Sequence, residues 1–206
     1  MAEEIQIKKK TLTLFLIAAA LVLVFIILYS FRPSVSVQEQ TPDLKNLDLE
    51  AKFAFLSKAN SNSCGGTFNF VDSLSDNQRI QGSCCSAMDF HRYEEQVNGL
   101  KKYSYIEKIP SDPYDVSASQ ARELLDYQKN IKLNEEQQEI YDMAMDMSME
   151  GGPCCCKCWH WYAYEGLAKY LIIEKGFTAE QIAEVWDLSD ACGGSGHIEG
   201  GGGHGH

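Results

Sequence analysis

The chemistry of this chain is concentrated in sulfur. Eight of its 206 residues are cysteine, and four of them crowd into Cys154-Cys155-Cys156-Lys157-Cys158. Gly151-Gly152-Pro153 leads into the run and Trp159-His160 follows it. A disulfide needs Cα atoms roughly 4.4–6.8 Å apart and suitably oriented, so near neighbours in sequence pair poorly with one another. Thiolates at such density are better matched to presenting several soft donors to one metal ion. Cys155 and Cys158 have the C-x-x-C spacing, and His160 adds an imidazole nitrogen. In a loop, Cys154, Cys156 and Cys158 can all face one centre, whereas on a helix only Cys154 and Cys158 share a face. The Gly-Gly-Pro lead-in favours a loop entering a helix, where the helix N-terminus lowers thiol pKa values.

A second group echoes the first. Gly82-Ser83-Cys84-Cys85 is followed by Phe90-His91-Arg92-Tyr93 and Gly99-Leu100-Lys101-Lys102-Tyr103. Gly152-Pro153-Cys154-Cys155 is followed by Trp159-His160-Trp161-Tyr162 and Gly166-Leu167-Ala168-Lys169-Tyr170. Cys64 and Cys192 share the shorter context Cys-Gly-Gly. The pattern suggests a degenerate repeat of about 70 residues, with Cys64, Cys84 and Cys85 forming a second cysteine site. His91 and Cys192 join the candidate ligands. Met143, Met145, Met147 and Met149 alternate just before the main run. On a helix, Met143 and Met147 fall with Ile140 and Ala144 on what reads as the core stripe, leaving Met145 and Met149 as spare thioethers. Thioether sulfur adds to thiolate for Cu(I) and contributes little to Zn(II), so the expected metal is Cu(I) in preference to Zn(II). His197, His204 and His206 sit in a glycine-rich tail that could capture a metal weakly.

Two other uses of the cysteines stay open at this level. One is thiol–disulfide redox work through Cys155 and Cys158, against which stands the lack of a βαβ pattern. The other is a disulfide-stapled interaction module, with 105 pairings available to eight cysteines. A c-type haem site needs C-x-x-C-H, and His160 comes one place late for it. An iron–sulfur cluster has enough cysteines but is disfavoured on an oxidising side. Phosphate loops, a Gly-x-Ser-x-Gly elbow and a His-Glu-x-x-His helix are all lacking, and no catalytic dyad is evident, so the chain does not read as an enzyme.

The elements that carry these residues begin with an anchor. Thr11 to Phe31 is uncharged, long enough to span a hydrocarbon core of about 30 Å. Lys8-Lys9-Lys10 precedes it, which predicts an N-terminus inside and a body outside. The run exceeds a signal peptide's usual apolar core of about 7–15 residues, so an uncleaved single-pass anchor is favoured over a cleaved leader. Residues 1–10 are then a cytoplasmic tail, 32–48 a linker, 49–192 a cysteine-rich domain and 193–206 a flexible Gly/His tail. The whole chain carries a net charge of −11. Residues 33–206 hold 14 bases and 27 acids, a net of −13. That excludes a nucleic-acid binder, which needs a basic face.

Within the domain, helical periodicity dominates. Helices are expected over 49–59, 88–103 and 118–128, the last capped by Ser117. Asn134 and Gln137 have capping-box spacing for a helix through Glu150, as do Thr178 and Gln181 for a helix over 178–188. Trp159 to Lys175 is a further helix, stopped by Gly176. The expected fold class is therefore mainly α: one transmembrane helix plus a small cysteine-rich domain of five or six short helices outside the cytoplasm.

Pro153-Cys154-Cys155-Cys156-Lys157-Cys158 resembles the motif of a family of small prokaryotic envelope proteins named for Pro-Cys-Tyr-Cys-Gly-Cys. Pro153, Cys154, Cys156 and Cys158 match, whereas Cys155 stands for the Tyr and Lys157 for the Gly. The stretch from Gly166 to Trp186 is also similar, so the likeness covers roughly residues 136–194. It implies a membrane-tethered protein outside the cytoplasm with cysteine-based binding, and it implies no activity. The family's usual lipid attachment is replaced here by the apolar run at 11–31.

Overall fold

A computed structural model describes residues 44–59 and 68–193, which belong to one compact unit. The expected anchor at 11–31, its flanks, Cys64 and the Gly/His tail beyond Gly193 lie outside the described residues. Among the described residues no helix is long and apolar enough to cross a membrane.

Among the described residues, seven α-helices and two short strands follow one another. They are α1 (Leu49–Leu56), α2 (Phe68–Asp72), β1 (Arg79–Gln81), α3 (Phe90–Leu100), β2 (Asp115–Ser117), α4 (Ala118–Asn130), α5 (Glu135–Met147), α6 (Trp159–Lys175) and α7 (Ala179–Ser189). Their ends are set by local chemistry. Ser117 Oγ accepts the Gln120 N–H to start α4. Asn134 and Gln137 close a reciprocal capping box on α5, and Thr178 and Gln181 do the same on α7. Each such cap is worth about 1 kcal/mol. Gly176, in the left-handed region at φ 64°, turns the chain out of α6.

The main core lies between α4, α6 and α7. Leu124, Leu125, Leu167, Leu171, Ile182 and Trp186 are all fully buried there, and each such side chain contributes roughly 1.5–3 kcal/mol of transfer free energy. α6 approaches α4 at Gly166, where a Cβ would lie 2.0 Å from the Leu124 carbonyl oxygen, so only glycine permits the contact. Trp186 Nε1 donates to the Tyr164 carbonyl at 3.1 Å and ties α7 to α6. A second, smaller core joins α1 to α3 through Leu56, Tyr93 and Tyr114, with Ala191 from the segment after Ser189. Leu44 is buried in it, so the packed body extends ahead of Leu49 into the expected linker.

β1 and β2 pair antiparallel, with Ile80 opposite Val116 and Arg79 opposite Ser117. Three-residue strands are too short to show a two-residue period, and these went unanticipated. So did the five-residue α2. The methionine helix carries a correction. Ala144 is fully buried, and Ile140, Tyr141 and Met145 pack against the core, while Met143 and Met147 are half exposed. The buried stripe thus runs one position later than the one expected. Tyr141, edge-on to Trp186 at 5.4 Å, sets the phase.

Candidate metal centre

Three separated segments bring the cysteines together: the turn after β1 with Cys84 and Cys85, the loop before α6 with Cys154 to Cys158, and Cys192 after α7. The first and last pair through their backbones. Cys84 N–H donates to the Ala191 carbonyl at 3.0 Å, and Ser86 N–H to the Cys192 carbonyl at 2.8 Å. Ser86 Oγ donates to the same Cys192 oxygen at 2.9 Å. Cys192 N–H is held by Asp190 Oδ1 at 3.0 Å, and Gln96 on α3 donates to the Asp190 carbonyl at 2.6 Å. The chain leaves Cys192 through Gly193 at φ +102°, where a Cβ would stand 2.3 Å from Ser86 Oγ. A side chain at 193 would therefore push these two segments apart.

In the third segment, Cys158 is the N-cap of α6. Its N–H donates to the Cys156 carbonyl at 2.9 Å, and the Cys154 thiol donates to that same carbonyl at 3.1 Å. This tight turn puts Cys154, Cys156 and Cys158 on one side, as the loop reading required.

All seven described cysteines are present as thiols. Cys84 Sγ lies 3.5 Å from Cys85 Sγ and 3.7 Å from Cys192 Sγ. Cys85 Sγ lies 3.6 Å from Cys155, 3.7 Å from Cys156 and 3.8 Å from Cys192. With a metal–sulfur bond of about 2.3 Å, sulfurs around one ion sit roughly 3.8–4.0 Å apart, close to these separations. Cys155 and Cys192, at 2.9 Å, are nearer and would open by about 1 Å on a common ion. Sulfurs lie within 4.8 Å of one another in Cys84–Cys85–Cys156, Cys85–Cys155–Cys192 and Cys154–Cys156–Cys158, and Cys84, Cys85 and Cys192 stand within 3.8 Å of one another as well. Every described cysteine belongs to at least one of them.

The cluster is graded from surface to interior. Cys85 and Cys155 are exposed, Cys84 and Cys156 are half-buried, and Cys154, Cys158 and Cys192 are buried. Trp161 packs against it, with Lys157 Nζ 5.5 Å from the Trp161 ring centroid. Protons are shared unevenly. Hydrogen bonds from Cys154 above all hold Cys156, Cys158 and Cys192 below the ordinary thiol range. Cys84, Cys154 and Cys155, as donors to Cys156 first, are pushed up. The expected acidity of Cys158 is present, and its leading cause is the neighbouring thiol rather than the helix terminus.

Several other candidate ligands lie apart from the cysteine groups. His160 is wholly buried on the first turn of α6, stacked on Tyr164 with centroids 4.1 Å apart. Neither ring nitrogen closes a hydrogen bond, and none of these cysteine sets includes it. Burial lowers its pKa to about 4, against the opposing pull of Cys192 and Cys156, so the ring is neutral. His91 is exposed at the second position of α3, outside every such set. Met145 is taken up in core packing, and Met149 is exposed with its N–H on Asp187 Oδ1 at 2.9 Å. The two cysteine groups form one cluster rather than two sites. The proposed repeat is imperfect: His91 and His160 each take the second place of a helix, yet Cys158 caps α6 itself whereas Asp89 caps α3 and Cys84 lies back in the loop. Tyr93 is buried and Tyr162 only half-buried, so the two helices present different faces.

Sequence reasoning missed Asp190, Gln96 and Trp161. Nothing local marks the first two, because their contact spans 94 positions. The aromatic run around Trp161 was visible, but not which ring would lie on sulfur. Comparisons of the chain with family models, curated proteins and solved structures found no match.

Proposed function

We propose that this protein binds a soft metal ion through thiolates at the seven-cysteine cluster, on the outer side of a membrane to which residues 11–31 anchor it. The observation that carries the reading is the convergence of seven thiols from three segments at separations suited to a common ion. Packing alone does not account for it, because exposed Cys85 and Cys155 bury little apolar surface. Cu(I) is proposed over Zn(II) because every donor in the cluster is a soft sulfur, and soft sulfur-rich sets suit Cu(I). This argument replaces the one from Met145 and Met149. The likeness of Pro153–Cys158 to the envelope family supports the location.

The test replaces Cys154, Cys156 and Cys158 together by Ser in the full chain. Metal retained after purification and buffer exchange is then measured against the parent, with circular dichroism as the folding control. Loss of bound metal from a still helical protein is expected. Unchanged metal content would refute the assignment.

A second reading has one observation of its own. Cys155 and Cys192 Sγ stand 2.9 Å apart, so redox work would run between them rather than between Cys155 and Cys158.

A further inference from the structure

Within the cluster one pair of thiols differs in access. Cys155 is exposed on the loop before α6, and its thiol donates to Cys192 Sγ at 2.9 Å. Cys192 is buried and its backbone is held on both sides. Its N–H is bound by Asp190 Oδ1, and its carbonyl accepts from the Ser86 N–H and from Ser86 Oγ. A reagent from solvent therefore meets Cys155 first, with a fixed second thiol directly behind it. The gap of 2.9 Å exceeds a disulfide bond by only about 0.9 Å. Cys85 is exposed as well, but its sulfur stands 3.6 Å from Cys155 and 3.8 Å from Cys192, about 1.6–1.8 Å beyond bonding. Cys84 and Cys85 are adjacent in sequence, where disulfide geometry is poor.

We propose that Cys155 and Cys192 form a thiol–disulfide exchange site for small disulfides, with Cys155 as the attacking thiol and Cys192 as the resolving one. The proposal deepens the second, redox reading above and rests on it. In the first step Cys155 gives up its proton and attacks one sulfur of the small disulfide. A mixed disulfide forms on Cys155, the reagent's S–S bond breaks, and the departing thiolate takes the proton. In the second step Cys192 gives up its proton and attacks the Cys155 sulfur. The Cys155–Cys192 bond forms, the mixed disulfide breaks, and the second thiolate leaves with that proton. Two protein thiols are thus oxidised by two electrons, and one small disulfide is reduced to two thiols. Disulfide and metal exclude one another at these two sulfurs, because only the thiolate is a metal ligand and a nucleophile.

The experiment takes the full-length protein, reduced and freed of metal, and adds hydroxyethyl disulfide, an uncharged probe, in the absence of air. Samples are quenched with acid, the remaining thiols are blocked with N-ethylmaleimide, and peptide mass spectrometry with fragmentation assigns each sulfur. Circular dichroism checks the fold of every protein. The first product of the parent should have lost two of its eight thiols to a Cys155–Cys192 bond, with no probe retained. Cys192→Ser should instead hold the probe on Cys155 as a mixed disulfide. Should that variant lose its helices, the map of the parent alone decides. First closure of another pair in the parent would overturn the assignment and leave the redox reading standing. A folded Cys192→Ser protein that carries the probe elsewhere than on Cys155 would overturn it in the same way. A folded parent in which no thiol exchanges would remove the redox reading itself.

Discussion

At the scale of single residues, the site depends on groups that carry no metal themselves. Gly193 is the clearest case, since a Cβ there meets Ser86 Oγ at 2.3 Å and Ser86 O at 2.5 Å. Gly193→Ala should part Cys192 from Cys84 and weaken metal retention while the helices stay folded. Competition with a chelator reads the first effect and circular dichroism the second. An unchanged chelator midpoint would show that the Cys192 backbone does not need this turn. Met145 provides a contrast. Half-buried against the core, it should accept Leu at a cost below about 1.5 kcal/mol, as shape-conserving swaps usually do. The Met145→Leu, Met149→Leu double variant should also keep its preference for Cu(I) over Zn(II) in direct competition. A lost preference would restore the thioethers as ligands. The cysteines themselves were legible because their spacing within one loop left few geometric options. That Cys84, Cys85 and Cys192 join them was legible only as an echo of context, since spatial adjacency across about a hundred positions leaves no local mark.

The helices were legible for a different reason: their starts and stops are written in side chains. Ser117, Asn134 and Thr178 cap as expected, and Gly176 ends α6 where its pattern stops. The phase of α5 was not, because Ile140, Tyr141, Ala144 and alternating methionines allow two apolar stripes and only tertiary packing chooses between them. Thr178→Ala should lower stability by about 1 kcal/mol through the lost cap. Gly166→Ala should cost more, about 1–3 kcal/mol or above, because the α4 backbone cannot move aside as a side chain can. Denaturant midpoints at constant m-value measure both. A Gly166→Ala protein as stable as its parent would mean that the α4–α6 contact relaxes freely.

For the whole molecule, residues 11–31 are the proposed anchor and the fold of residues 44–193 builds the cysteine cluster. The anchor predicts that an impermeant amine reagent labels residues beyond 33 on intact cells. Labelling only after lysis would reverse the orientation. In the proposed location outside the cytoplasm, thiols would face oxidation, and on the proposed reading a bound soft metal would hold the seven together as thiolates. The central claim is therefore tested most directly by assaying natively purified full-length protein for bound metal and for reactive thiols, before and after a Cu(I) chelator. The account predicts soft metal at the outset with most cysteines silent to a thiol reagent. Removing the metal should then expose at least the seven cysteines of the cluster. Protein with no metal and all eight cysteines already in disulfides would contradict it.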